Sequence, residues 1–287
     1  MDFAEAYAAA AERWPAGTDP LVVPTSWGCT HVLAAGPAGA TPTVLLHGGG
    51  ATATAWAGVA RELSGRFRVL APDQPGSPGR STSSRAFRTT ADQAAWLSEL
   101  IEALDVGPVH LVGHSAGGHL ALAGALERPG IVSSLALLDP TACFAGFSPR
   151  YLAHAVPHLV RPTPARVRRF LAWETRGRAL EPAWLEVTVR GSTEFDATPI
   201  VPTRRPPRAR LARLTTPTLV LVAGRSRAHD PSRVARSARS LLPAATVVEL
   251  PVASHHTIPV LDAGEIAAAV GDHVVRSTPP PPRPRGR

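Results

Sequence analysis

A chain of 287 residues, 44% hydrophobic and 18% charged, has the make-up of a folded globular protein and lies outside the polar, highly charged range of disordered chains. A formal charge of +8 raises nucleic acid as a partner, but all 30 basic residues are arginines, and the excess sits in one Pro-broken stretch, Arg150 to Arg213, with thirteen arginines against five acids and no recognisable nucleic-acid-binding motif. That distribution argues against nucleic acid and for a solvated basic surface.

Cys29 and Cys143 belong to no CxxC or Cys/His cluster, which predicts reduced, buried thiols in a cytoplasmic protein. The first thirty residues mix acids with alanines and have no basic segment ahead of an apolar core, so no signal peptide is expected. Apolar stretches such as VLLHGGG and LALL fall well short of the ~20 residues that cross a bilayer, so no membrane partner is expected.

In chain order, Asp2 to Arg13 reads as a short helix stopped by Pro15 and Gly17. Gly28–Ala35 and Thr43–Leu46 are strand-prone, Trp56–Leu63 is helical, and Phe67–Ala71 is a strand. A helix over Thr90–Leu104 leads into the apolar run Val109–Val112. A helix over His119–Leu126 and a strand over Ile131–Leu138 follow. Strands alternating with helices, and apolar nearly throughout, predict an α/β fold: a mostly parallel twisted sheet with helices on both faces.

The alternation stops at Pro140. Residues 141–213 hold helical pieces (Pro149–Val156, Ala165–Trp173, Pro182–Val189) and no clear strand, and read as a helical cap inserted into a core of residues 1–140 and 214–276. The alternation resumes with a strand at Thr218–Val222, a helix at Arg233–Leu242, a strand at Thr246–Leu250 and a helix at Ala263–Val275. The last stretch, 277–287, is rich in proline and arginine and is expected to be disordered or polyproline-like.

The chemistry starts at Gly113-His114-Ser115-Ala116-Gly117, a G-x-S-x-G sequence between an apolar strand and a helix. Glycines there let the chain turn sharply, so that Ser115 sits at a strained bend with its hydroxyl exposed at the sheet edge. The helix beginning at that point aims its amides at the reacting oxygen. A second glycine-rich turn, His47-Gly48-Gly49-Gly50, follows the strand TVLL.

With these two turns, the loop Ala71-Pro72-Asp73-Gln74-Pro75-Gly76 with Gly79-Arg80-Ser81, and a late Asp and His, the chain resembles the α/β-hydrolase superfamily of capped serine esterases and lipases along nearly its whole length. The resemblance implies an oxyanion hole made by the amide of Ala116 and that of Gly49 or Gly50. It also implies the chain order serine, acid, histidine. The histidine is then His255 or His256, directly after VVELPVA. Counting from Pro251 favours His255, and counting back from Pro259 favours His256. For the acid, Asp230 lies in the loop after TLVLVAG, although six residues beyond Gly224 is longer than the family's usual spacing. Asp139, at the end of LALLDP, is the alternative.

Asp73 is expected to stabilise its loop, His114 and His119 to pack or line the pocket, and Trp173 and Trp184 either to meet substrate or to fill a core. The spacing of His, Asp and Glu suggests no metal and no cofactor. The expected substrate is a small-molecule carboxylic ester, thioester or lactone, cleaved by a monomer or homodimer. Cofactor-free perhydrolysis of the haloperoxidase type, or a lyase, cyclase or ligand-binding protein on the same fold, is the alternative.

Overall fold

Backbone polar groups in a buried strand must be paired by neighbours, so strands this apolar can exist only inside a sheet covered on both faces. That is the arrangement in the computed structural model, which describes residues 1–195 and 200–278. Its eight strands are β1 (Asp19–Thr25), β2 (Gly28–Ala35), β3 (Thr41–Leu46), β4 (Phe67–Pro72), β5 (Val109–His114), β6 (Val132–Leu138), β7 (Thr218–Ala223) and β8 (Thr246–Leu250). They form one sheet in the order β1-β2-β4-β3-β5-β6-β7-β8. The β1/β2 and β2/β4 pairs are antiparallel, and all later neighbours run parallel.

Ahead of the sheet lies α1 (Phe3–Ala11). Between strands run α2 (Ala57–Leu63), α3 (Thr90–Leu104), α4 (Ala116–Glu127) and α9 (Pro231–Leu241), and α10 (Ala263–Ser277) follows β8. One face of the sheet packs against α3, α4 and α9 through Trp96, Leu100, Leu120, Leu122 and Val234. The other packs against α2 and α10 through Val59, Leu63, Ile266, Val270 and Val274. Between β6 and β7 come α5 (Pro149–Val160), α6 (Pro164–Glu174), α7 (Pro182–Glu194) and the short α8 (Arg208–Leu211). The first three share a separate apolar cluster of Tyr151, Phe170, Leu171 and Trp184, which reaches Ala55 and Ala228 in the segments after β3 and β7. A fourth cluster joins Tyr7 of α1 to Val187 of α7.

Two expectations need correction. The expected elements include no strand ahead of Gly28, yet β1 forms there despite Pro20 and Pro24. It is an edge strand paired only with β2, the position in which missing proline donors do least harm. Cys143 is buried as expected, but Cys29 is exposed on β2, and both are free thiols. Of the expected disordered tail, Ser277 closes α10, and residues 279–287 lie outside the described residues.

Candidate active site

Strand β5 ends in a turn that only certain residues can make. A Cβ on Gly117 would stand 2.2 Å from the Leu46 carbonyl oxygen, and one on Gly113 would stand 2.3 Å from the Gly117 carbonyl oxygen. Glycine at both positions lets α4 press against β3 and β5. The strain falls on Ser115, which adopts φ +55°, ψ −118° as the N-cap of α4, a conformation costly for a residue with a side chain. Its hydroxyl is held between Thr141 Oγ1 at 3.0 Å and His255 Nε2 at 2.9 Å.

His255 lies in the loop after β8, and its Nδ1 meets Asp139 Oδ2 at 2.7 Å. Asp139 leaves the end of β6 at φ +40° and is fully buried. Its carboxylate also accepts from Ser226 Oγ at 2.8 Å. Burial by itself would raise the Asp139 carboxyl. The hydrogen bond from His255, the neighbouring charges of His229 and His255, and the Ser226 hydroxyl outweigh it and hold the group at about 2. For His255, burial favours the neutral ring, but the hydrogen bond and charge of Asp139, with the charge of Glu174, raise it above its ordinary range.

Asp230, the expected acid, is elsewhere. It is exposed and serves as the N-cap of α9, accepting from Arg233 N at 3.2 Å and Ser232 Oγ at 2.8 Å. Asp followed by Pro at the first helical position is a helix-start signal, and that local role sets its geometry. His256 is not the ring that meets Ser115: its Nε2 lies 3.3 Å from the Tyr151 hydroxyl on α5. Burial lowers its pKa to about 4.

The histidine loop is fixed from an unexpected side by Glu174, at the C-terminal end of α6 and fully buried. Its two oxygens accept from His255 N and His256 N, each at 3.0 Å, and from Ser254 Oγ at 2.9 Å. Sequence reasoning misses both Glu174 and Thr141. The only signal for the former is an acid closing an otherwise arginine-rich helix; nothing local marks the latter.

On the other side of Ser115, the turn after β3 is locked by its histidine. His47 Nε2 accepts from Gln74 N at 3.1 Å, and its Nδ1 meets the Gly48 carbonyl at 2.9 Å. Burial keeps this ring neutral, which that pattern requires. His47, Gly48 and Gly49 line a cavity in front of Ser115, with Ala116 across from Gly49. Gly50, at φ +72°, lies one residue further along the turn and is exposed. Ala51, Ala55, Trp56, Trp184, His114, His256 and Pro259 complete the mainly apolar wall of the cavity. Trp173 instead stacks on His154, their centroids 3.9 Å apart. His114 Nε2 lies 2.8 Å from the His255 carbonyl oxygen, and His119 packs with Nε2 3.0 Å from the Arg204 carbonyl oxygen.

Asp73 holds its loop as expected, accepting from Tyr7 Oη and Ala53 N at 2.8 Å and from Arg80 N at 2.9 Å. Asp139, His229 and His255 bring potential metal-ligand atoms within 4.8 Å of one another. The first and last are already joined by a hydrogen bond, however, and three ligands fall short of a closed structural site. The arrangement is that of a hydroxyl, a base and a buried carboxylate in line, which can move a proton off Ser115.

A family model described as the alpha/beta hydrolase family matches residues 43–269. The chain is similar to carboxylesterase YbfK of Bacillus subtilis (strain 168), 32% identical over 155 residues, 54% of this chain and 52% of that protein. It thus spans about half the length of that relative. It is also similar to the magnesium-chelatase 30 kDa subunit of Rhodobacter capsulatus, 31% identical over 255 residues, 82% of this chain and 88% of that protein. Among solved structures, the naproxen esterase (carboxylesterase NP) from Bacillus subtilis superposes with a TM-score of 0.84 at 26% identity, covering 96% of both chains. The match to the family model across most of the chain, on a sheet of this topology, makes the chain a member of the alpha/beta hydrolase family.

Proposed function

We propose that this protein is a serine hydrolase of small-molecule carboxylic esters, with Ser115 as nucleophile, His255 as general base and Asp139 as the buried acid that orients it. The observation that carries the reading is the unbroken line Ser115 Oγ, His255 Nε2, His255 Nδ1, Asp139 Oδ2, with contacts of 2.9 and 2.7 Å, set at a strained turn that opens onto a cavity. The likeness to carboxylesterases supports it.

As Ser115 Oγ attacks the substrate carbonyl, its proton passes to His255 Nε2, and the imidazolium is stabilised by Asp139, which stays ionised. Negative charge on the carbonyl oxygen is met by the Ala116 amide at the N-terminus of α4 and by the Gly49 amide across the cavity; each fixed donor of this kind is worth ~3–4 kcal/mol. His255 then gives its proton to the departing alcohol as the C–O bond breaks, leaving an acyl group on Ser115. Water, deprotonated by the same ring, attacks that acyl carbon, and the acid leaves as Ser115 regains its proton. Thioesters and lactones fit the same steps. Residues 141–213 act as a cap over Ser115, with Trp184 on the cavity wall. That wall is apolar and histidine-lined, with no arginine among the described residues, which favours neutral acyl groups over anionic ones.

The test is hydrolysis of p-nitrophenyl esters of increasing acyl length by the native chain and by Ser115→Ala. Native turnover of at least one ester, with the variant at background and a fluorophosphonate labelling only the native serine, is the expected outcome. A native chain that neither turns over an ester nor takes the label overturns the proposal.

A further inference from the structure

Helix α5 has two apolar faces, and only one of them is covered. Tyr151 and Ala155 pack inward. On the opposite side Leu152, Val156, Leu159 and Val160, spaced i, i+4, i+7 and i+8, are 44%, 50%, 54% and 71% exposed. Most large apolar side chains exposed elsewhere in the molecule stand singly, whereas these four lie together on one helix.

Along the chain, the charge flanking them has one sign. Residues 140–173 contain five arginines and no acid. Arg168 is neutralised by Glu186 of α7. Arg166 bonds to the carbonyl oxygens of Pro157 and Arg161, which seats its guanidinium at the C-terminal end of the stripe. Arg150, Arg161 and Arg169 are exposed, and among the described residues none of them forms an ion pair.

We infer that the outer face of α5, with the start of α6, docks on the surface of an anionic phospholipid bilayer. An apolar stripe set among unpaired cations suits a helix lying in the boundary between headgroups and acyl chains, where the side chains leave water and the arginines meet lipid phosphate. A polynucleotide satisfies the arginines but leaves the stripe facing a row of phosphates. A second copy docked face to face covers the stripe but sets arginines against arginines. No described helix is long and apolar enough to cross a membrane. Lying on the surface does not require one.

The experiment is flotation of the full chain with vesicles of equal parts phosphatidylglycerol and phosphatidylcholine, and with vesicles of phosphatidylcholine alone. Two double variants are compared, Val156→Ser with Leu159→Ser, and Arg161→Gln with Arg169→Gln. The native chain is expected to float with the mixed vesicles and not with pure phosphatidylcholine, with binding that weakens as salt is raised. Each double variant is expected to lose tenfold or more in vesicle affinity while hydrolysing soluble esters at the native rate. Absence of native binding to mixed vesicles overturns the inference, as does equal binding by native chain and variants. It is also overturned if light scattering finds a stable dimer that Val156→Ser with Leu159→Ser turns into a monomer, since the face would then join two copies. Failure here leaves the hydrolase proposal standing, because that is read on soluble esters.

Discussion

A serine hydroxyl becomes a nucleophile only when a base stands within hydrogen-bond reach and is itself held in the right tautomer. At the scale of single residues, the partner of His255 Nδ1 decides which carboxylate does the holding, and that partner is Asp139 at 2.7 Å. Asp139→Asn is therefore expected to cut kcat/KM by about 10⁴-fold, because an amide can leave the ring with its proton on the wrong nitrogen. Asp230→Asn should leave ester hydrolysis unchanged and shift stability by no more than about 0.5 kcal/mol, since Asn caps helices about as well as Asp. Measuring kcat/KM for both variants decides between the two acids, and a large loss in Asp230→Asn would reverse the assignment. Ser115 is legible in the sequence because a strand, a turn and a helix leave a local signature, and the His255–His256 pair follows only from the chain order that the family resemblance implies. The carboxylate that meets His255 is not legible in this way, because Asp139-Pro140 and Asp230-Pro231 look alike until β6 and β7 lie side by side and the Ser226 hydroxyl turns toward Asp139.

Elements built from strong local signals match their expected ranges closely. Helix α3 spans Thr90–Leu104 with Thr89 and Asp92 forming its capping box, and β2 spans Gly28–Ala35. What sequence could not reveal is contact between elements distant in the chain, and Glu174 is the main case. A carboxylate at the end of α6 accepts from two backbone amides and a hydroxyl of the loop after β8. Its charge also helps raise the pKa of His255. Glu174→Gln turns one acceptor into a donor that faces donors, and the loop should loosen. We expect kcat to fall about 10- to 100-fold with little change in KM. The sign of the pH effect follows from the charge. In the proposed mechanism activity needs neutral His255, so the acidic limb of kcat/KM is expected where that ring takes up a proton, above the ordinary histidine value of 6.5. Removing the negative charge of Glu174 makes protonation harder and moves the limb to lower pH. A variant that loses activity with an unmoved limb would assign Glu174 a purely structural role.

Over the whole molecule, the N-terminal helix connects parts that the sequence keeps far apart. Tyr7 of α1 is fully buried, donates to Asp73 at 2.8 Å, and packs beside Val187 of α7. Phe3 N donates to Glu194 Oε2 at 2.9 Å, and Arg13 pairs with Glu181. Tyr7→Phe removes one donor from a buried carboxylate and is expected to destabilise the fold by about 1–3 kcal/mol. That loss would appear as a lower urea midpoint with native ester turnover at room temperature; an unchanged midpoint would mean that the loop around Asp73 stands without Tyr7.

The segment between β6 and β7 is thus fastened at several places, among them Glu174 of α6 to the histidine loop, Arg178 to Asp262, and α7 to α1. On the proposed reading, a roof held in this way works as a fixed aperture: swinging aside would pull on the loop that carries His255, so the width of the gap beside Trp184, like the mesh of a sieve, is expected to choose which molecules reach Ser115.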